Sequence, residues 1–170
     1  SLAQYAWYNL AYCYEQTGRM RFAQNAYIKA FEMQSDKTIS QESMLAYAGL
    51  SVKQTGDPAR NAIALVQQFV NDRHYDSRSR QKASSLLVQL YLNSHNNRAA
   101  LEALEKSGVH GAMMQKIYQQ LAYVQAVQFY GQNNFRQAVT YFDKALKYSI
   151  DLGIKYKSIY WKADSYYRMH

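Results

Sequence analysis

Apolar and polar positions at the start of the chain alternate with a helical rhythm. Trp7, Leu10, Ala11 and Tyr14 fall at i, i+3, i+4 and i+7, which places them on one face of an amphipathic helix. Gly18 then ends it, being free to adopt the left-handed conformation that closes a helix C-terminus. Phe22, Ala23, Ala26, Tyr27, Ala30 and Phe31 define a second helix. Small Ala23 lets the pair approach closely, and bulky Tyr27 and Phe31 fill the space further along. Cys13, between Tyr12 and Tyr14, reads as a small buried residue.

The same helix-turn-helix unit recurs. Leu45, Ala48, Gly49 and Val52 mark the next first helix. Gly56, Asp57 and Pro58 make its turn, with Asp57 as N-cap and Pro58 at the first helical position. Ala62, Val66 and Phe69 mark the partner helix. In the third unit Leu87, Val88 and Tyr91 lead to a turn at His95, Asn96 and Asn97. Ala100 and Leu104 then lie on a short helix stopped near Gly108. The fourth unit opens with a long helix from Ala112 to Gly131. The helix after it carries Phe135, Ala138, Val139, Phe142, Ala145 and Leu146. Tyr160, Ala163 and Tyr167 begin a fifth unit that is incomplete.

Four alanines give the period: Ala23, Ala62, Ala100 and Ala138, at steps of 39, 38 and 38. The turn position five residues upstream recurs with them as Gly18, Gly56 (displaced by one), His95 and Asn133. A large apolar residue four downstream recurs as Tyr27, Val66, Leu104 and Phe142. A second series, Trp7, Leu45, Ser84, Ala122 and Tyr160, runs at steps of 38, 39, 38 and 38. The units span about 4–39, 40–78, 79–116 and 117–155, with a partial one at 156–170. Self-similarity of this length marks a repeat array. The connections at 34–40, 71–79, 107–111 and 151–153 are short and polar, and none is a domain linker, so 1–170 reads as one continuous all-α array.

Composition agrees with helices. One proline and seven glycines disfavour a strand-rich fold, and 48% hydrophobic residues suffice for a core. The net charge of +8 raises the question of nucleic acid, yet the cations are dispersed. The densest stretch, Arg73, Arg78, Arg80 and Lys82, holds Asp76 inside it. A looser excess comes from Lys147, Lys155, Lys157, Lys162 and Arg168. Solvated helix ends account for such charge, with an acidic partner surface next and nucleic acid last. No stretch reaches the roughly 18 apolar residues of a membrane span. The chain does not begin with Met and ends partway through a repeat, which reads as a piece of a longer protein.

Trp7, Leu10, Ala11, Tyr14, Gly18, Ala23, Tyr27 and Ala30 resemble the tetratricopeptide repeat consensus nearly residue for residue. The likeness is good in units two and four and weaker in unit three. The family's usual period is 34 residues, against 38 to 39 here. Gln125 and Asp164 also depart from the pattern, standing where a Leu and a small residue are expected. The resemblance implies an α-solenoid of antiparallel helix pairs wound into a right-handed superhelix, with first helices lining the concave face. It implies a non-catalytic scaffold that binds a protein or peptide in that groove. Residues 159–163 are similar to repeat openings in large cell-envelope proteins of this family from Gram-negative bacteria. That likeness points toward the periplasmic side of the envelope, with the cytoplasm as alternative.

On the first helices, residues flanking the packing stripe should project into the groove. Tyr5, Tyr8 and Tyr12 share such a face. Matching positions give Ala46, Leu50 and Lys53, then Lys82 and Ser85, then Gln120, Tyr123, Val127 and Tyr130, then Trp161. Tyr and Trp supply rigid contact area at low entropic cost. Some chaperone-binding members of the family clamp a peptide carboxylate with Lys and Asn on first helices. Here Tyr8 and Tyr12 take the first two places and Lys82 alone matches, so that clamp is not expected. No catalytic or cofactor motif occurs, and His74, His95, His110 and His170 lie at turns, connections or the terminus without metal-ligand spacing. The other readings are a regulatory segment of a signalling or transcription protein, nucleic-acid binding through the basic stretch, and self-association of exposed ends or aromatics.

Overall fold

The structure, a computed structural model, describes residues 1–54 and 59–169, with 59–61 described by backbone alone. Among the described residues there are nine α-helices and no strand. They are α1 (Leu2–Gln16), α2 (Met20–Glu32), α3 (Lys37–Lys53), α4 (Ala59–Asn71), α5 (Ser77–Asn93), α6 (Asn97–Ser107), α7 (Gly111–Gly131), α8 (Phe135–Leu146) and α9 (Leu152–Arg168). The fold class is all-α. The expected turn at Gly56, Asp57 and Pro58 lies outside the described residues.

Two compact units emerge, Ser1–His95 and Asn96–His170. In the first, each helix packs on the next, and α3 also touches α1 and α5. In the second, α6 to α9 pack in succession and α7 also touches α9.

Local chemistry starts and stops these helices where the spacing placed them. Asp36, Asn96, Asn134 and Asp151 each accept a hydrogen bond on the side chain from the backbone N–H three residues on, satisfying a donor the helix leaves orphaned. The recurring turn position is left-handed throughout the described units: φ is 74° at Gly18, 56° at His95 and 59° at Asn133. Glycine takes this region freely; His and Asn are the non-glycine types that tolerate it best.

The period is written into the core. Ala23, Ala62, Ala100 and Ala138 are all 0% exposed, and Tyr27, Val66, Leu104 and Phe142 four residues on are also buried. A missing side chain at each alanine is what permits close helix contact, and the large residue one turn later fills the space that opens. Phe31 packs edge-on against Phe69, 6.2 Å between ring centroids, and Phe69 stacks on Tyr75 at 4.3 Å. Hydroxyls of core tyrosines find acceptors at the margin. Tyr27 donates to Glu15 and Tyr118 to Glu105, at 2.9 and 3.0 Å. Burial, then the neighbouring carboxylate, pushes both phenols well above their usual range.

The second series needs correction. The true register of the first helices is set by three buried glutamines absent from the sequence reading. Gln4, Gln41 and Gln119 each accept from a backbone N–H, at Asp36, Asp76 and Asp151 respectively, over 2.6 to 2.8 Å. Gln4 and Gln119 also donate to the carbonyl of the same aspartate, and Gln41 to the Asp76 carboxylate. Seven residues after each lies a fully buried alanine, Ala11, Ala48 and Ala126. Counting from the glutamines, Met44 and not Leu45 corresponds to Ala122, and it is Met44 that is fully buried.

Three further expectations are revised. Cys13 is exposed, not buried. Trp7 and Leu10 remain partly exposed, because no described helix covers that side of α1. Phe22 is largely exposed as well, its ring only tilting against Tyr14 at 5.4 Å.

Candidate functional site

Each unit offers a face made of the outward sides of its first helices. In the unit Ser1–His95 the register above aligns Tyr5 with Glu42 and Tyr12 with Gly49. Tyr5 and Tyr12 are 56% and 52% exposed, so most of each ring is open to a partner. Lys53, at the last turn of α3, and Lys82, on α5, are exposed. Tyr8 is different: it is half-buried, edge-on to Tyr27 at 5.8 Å. Burial raises its phenol above the usual range, and the Glu42 carboxylate beside it on α3 adds to the effect. Tyr8 therefore works as a wedge between helices as much as a surface group.

Leu50 leaves this face entirely, being buried in the core. Gly49 takes its place beside Ala46 and Lys53. A β-carbon added at Gly49 would meet nothing within 4 Å, so no neighbour requires glycine there.

In the unit Asn96–His170 the face runs along α7 and α9. Val124 and Val127 stand partly exposed. Tyr123 is half-buried and leans on Phe142, 6.2 Å between centroids. Tyr130 and Trp161 are brought together, 5.0 Å between ring centroids. The Tyr130 hydroxyl donates to the Asp164 carboxylate, which also takes Arg168 Nε at 2.7 Å. These donors hold the Asp164 carboxyl below its usual range, and the same contact pushes Tyr130 upward. The Arg168 guanidinium sits over the rings of Tyr130 and Phe135 at 5.5 and 5.9 Å. Asp164, out of place for the repeat pattern, is thus the acceptor that ties α7 to α9.

The basic stretch lies around the start of α5. Arg73, Arg78 and Lys82 are exposed, while Arg80 donates to the Tyr75 carbonyl at 3.2 Å. Asp76 within it is engaged by Lys37 at 2.8 Å and by Gln41. Among the described residues no three of His, Cys, Asp and Glu gather as a group that could hold a metal ion. No described helix is long and apolar enough to cross a membrane.

The glutamine brackets were legible in one respect. Each glutamine stands on the apolar side of a helix, 32 or 35 residues before an aspartate at the N-cap position of a later one. A polar residue recurring on an apolar face signals a buried hydrogen-bonding role. No protein-family model matches the chain, and no curated protein matches it either.

Proposed function

We propose that this chain is a tetratricopeptide-like α-solenoid that binds a protein or extended peptide across the outward faces of its first helices. The observation that carries the reading is the pair Tyr5 and Tyr12, two large rings more than half exposed on one face of a helix that the buried Gln4 and Ala11 anchor to its neighbours. Exposed rigid aromatics contribute contact area at small entropic cost and are typical binding anchors. Three features support the solenoid part: the recurrence of left-handed turns at Gly18, His95 and Asn133, the buried alanine series, and the contact of first helix with first helix inside each unit. Lys53 and Lys82 favour a partner with acidic side chains by charge complementarity.

The test selects binders to the whole chain from a displayed peptide library and measures their affinity by calorimetry. Tyr5 and Tyr12 are then both changed to Ala. These positions are suitable because they are exposed, whereas Tyr8 and Tyr123 pack on Tyr27 and Phe142 and would disturb the fold. The double variant is expected to keep its helical circular dichroism and lose at least about tenfold in affinity. Undiminished affinity would remove this face from the proposal.

A further inference from the structure

The chain carries a comparison within itself. Gln4, Ala11, Ala23 and Asp36 recur as Gln119, Ala126, Ala138 and Asp151, each 115 positions on, so α1 to α3 match α7 to α9 in register. In the later set a cation is held on the outward face. The Arg168 guanidinium lies over the Tyr130 ring, 5.5 Å from its centroid, and its Nε donates to Asp164 at 2.7 Å. An aromatic ring beneath a planar cation and a carboxylate at its edge both favour the charge.

The same station in the earlier set has like chemistry and no cation in it. Glu15 stands where Tyr130 does, Gly49 where Asp164 does and Lys53 where Arg168 does. Asp164 anchors Arg168 from one turn before it; Lys53 has a glycine there and stays exposed. The carboxylates come instead from Glu15 and Glu42, and the rings from Tyr8 and Tyr12. Tyr27 donates to Glu15 at 2.9 Å, and the Tyr8 ring lies edge-on to Tyr27. After burial, Glu42, Glu15 and Tyr12 all act on the Tyr8 phenol, which places these groups together between α1 and α3. Tyr12 and Glu42 are exposed, so the station opens to solvent, and the space a side chain at Gly49 would take is empty. Among the described residues no lysine or arginine pairs with Glu15 or Glu42, although the chain carries a net charge of +8. Two neighbouring carboxylates repel, and a cation between them relieves that cost.

We infer that this station recognises an arginine side chain of the bound peptide, seated over Gly49 against the Tyr8 and Tyr12 rings with its guanidinium toward Glu15 and Glu42. Arginine fits better than lysine because its flat, weakly hydrated head stacks on rings and meets carboxylates edge-on. The inference rests on the binding face proposed above and names one residue its ligand carries. Lys53 and Lys82 then meet acidic residues elsewhere along the same peptide.

Peptides selected by display on the whole chain, with affinities from calorimetry, test this. Those that weaken when Tyr5 and Tyr12 are changed to Ala use the face, and they are expected to share an arginine. Replacing that arginine with citrulline, its uncharged isostere, should weaken binding at least about fivefold, and so should Glu15→Gln combined with Glu42→Gln. Glutamine keeps an acceptor for Tyr27, so the helical circular dichroism should hold; Glu42→Gln alone, at an exposed residue, should show part of the same loss. Made together, the peptide and protein changes should cost little more than either alone, because they remove one contact. Added salt should weaken the unmodified pair and have less effect on the doubly changed one. Losses that simply add, or arginine-free binders that the glutamine variant holds as tightly, overturn this inference and leave the face standing. Binders indifferent to the Tyr5 and Tyr12 changes, or no binders at all, overturn the face and this site with it.

Discussion

The buried glutamines show how much a single polar side chain can hold. The Gln119 amide faces the backbone of Asp151 with both of its ends, accepting at 2.8 Å and donating at 3.0 Å. The Asp151 side chain meanwhile caps α9 through Ile154 N–H. Gln119→Ala removes both bonds and leaves a backbone donor and acceptor short of partners at a partly buried site, at a cost of about 2 kcal/mol. Urea denaturation should show that loss; a change within a few tenths would mean that water replaces the amide. Asp164 carries a different, pH-dependent role. Its folded-state pKa is lowered by Tyr130 and Arg168, so its stabilising contribution is present above the ordinary carboxylate range and fades as pH falls through the lowered value. Trp161 fluorescence, reporting on the adjoining Tyr130 ring, should therefore change on acidification below pH 3.8. Asp164→Asn should flatten that step, and an identical titration in the variant would detach it from this carboxylate.

At the scale of the helix, two glycines make opposite predictions from one chemistry. Gly49 sits inside α3 with open space where a β-carbon would be. Gly49→Ala should stabilise the chain by about 0.5–1 kcal/mol, the usual entropic penalty of glycine in a helix interior. Gly108 ends α6 at φ 81°, and a β-carbon there would lie 2.7 Å from His110 Nε2. Gly108→Ala should destabilise by at least about 1 kcal/mol, since alanine is strained at positive φ. Chemical denaturation separates the pair, and the same sign for both would break the argument. Helix boundaries were largely legible because their determinants are local: a capping side chain three residues from its donor, a left-handed residue at the stop, a small residue where helices cross. The register of α3 was not. Leu45 and Met44 are both apolar neighbours, and the contacts of α3 with distant helices, among them the bond from Asp76 N–H to Gln41, go with Met44 facing inward. Cys13 and Phe22 were misplaced for a related reason: their helix faces are apolar in sequence, yet no described helix covers them.

For the molecule as a whole, the unit Ser1–His95 holds its own buried core, from Ala11 and Tyr27 through Met44 and Phe69 to Leu87. A fragment of residues 1–95 is expected to fold alone, with a helical spectrum and a cooperative thermal transition. A random-coil spectrum would show that its helices depend on the rest of the chain. Of the groove residues chosen by spacing, Tyr5, Tyr12, Lys53 and Lys82 are exposed, while Tyr8, Tyr123, Tyr130 and Trp161 are half-buried against other rings or helices. Periodicity finds the face a residue belongs to. It cannot separate a ring that lies on the surface from one that wedges between two helices of that surface.

Caps, turns and amphipathic spacing act over a few residues, so the all-helical class, the succession of helices and the recurring buried alanine beside a large residue were legible from the chain alone. Which glutamines bracket the aspartate at the next N-cap position, and which tyrosines stay open, emerged from the folded chain. Those outcomes depend on contacts between residues more than thirty positions apart, or on the lack of them, and a local pattern carries no record of its distant partners.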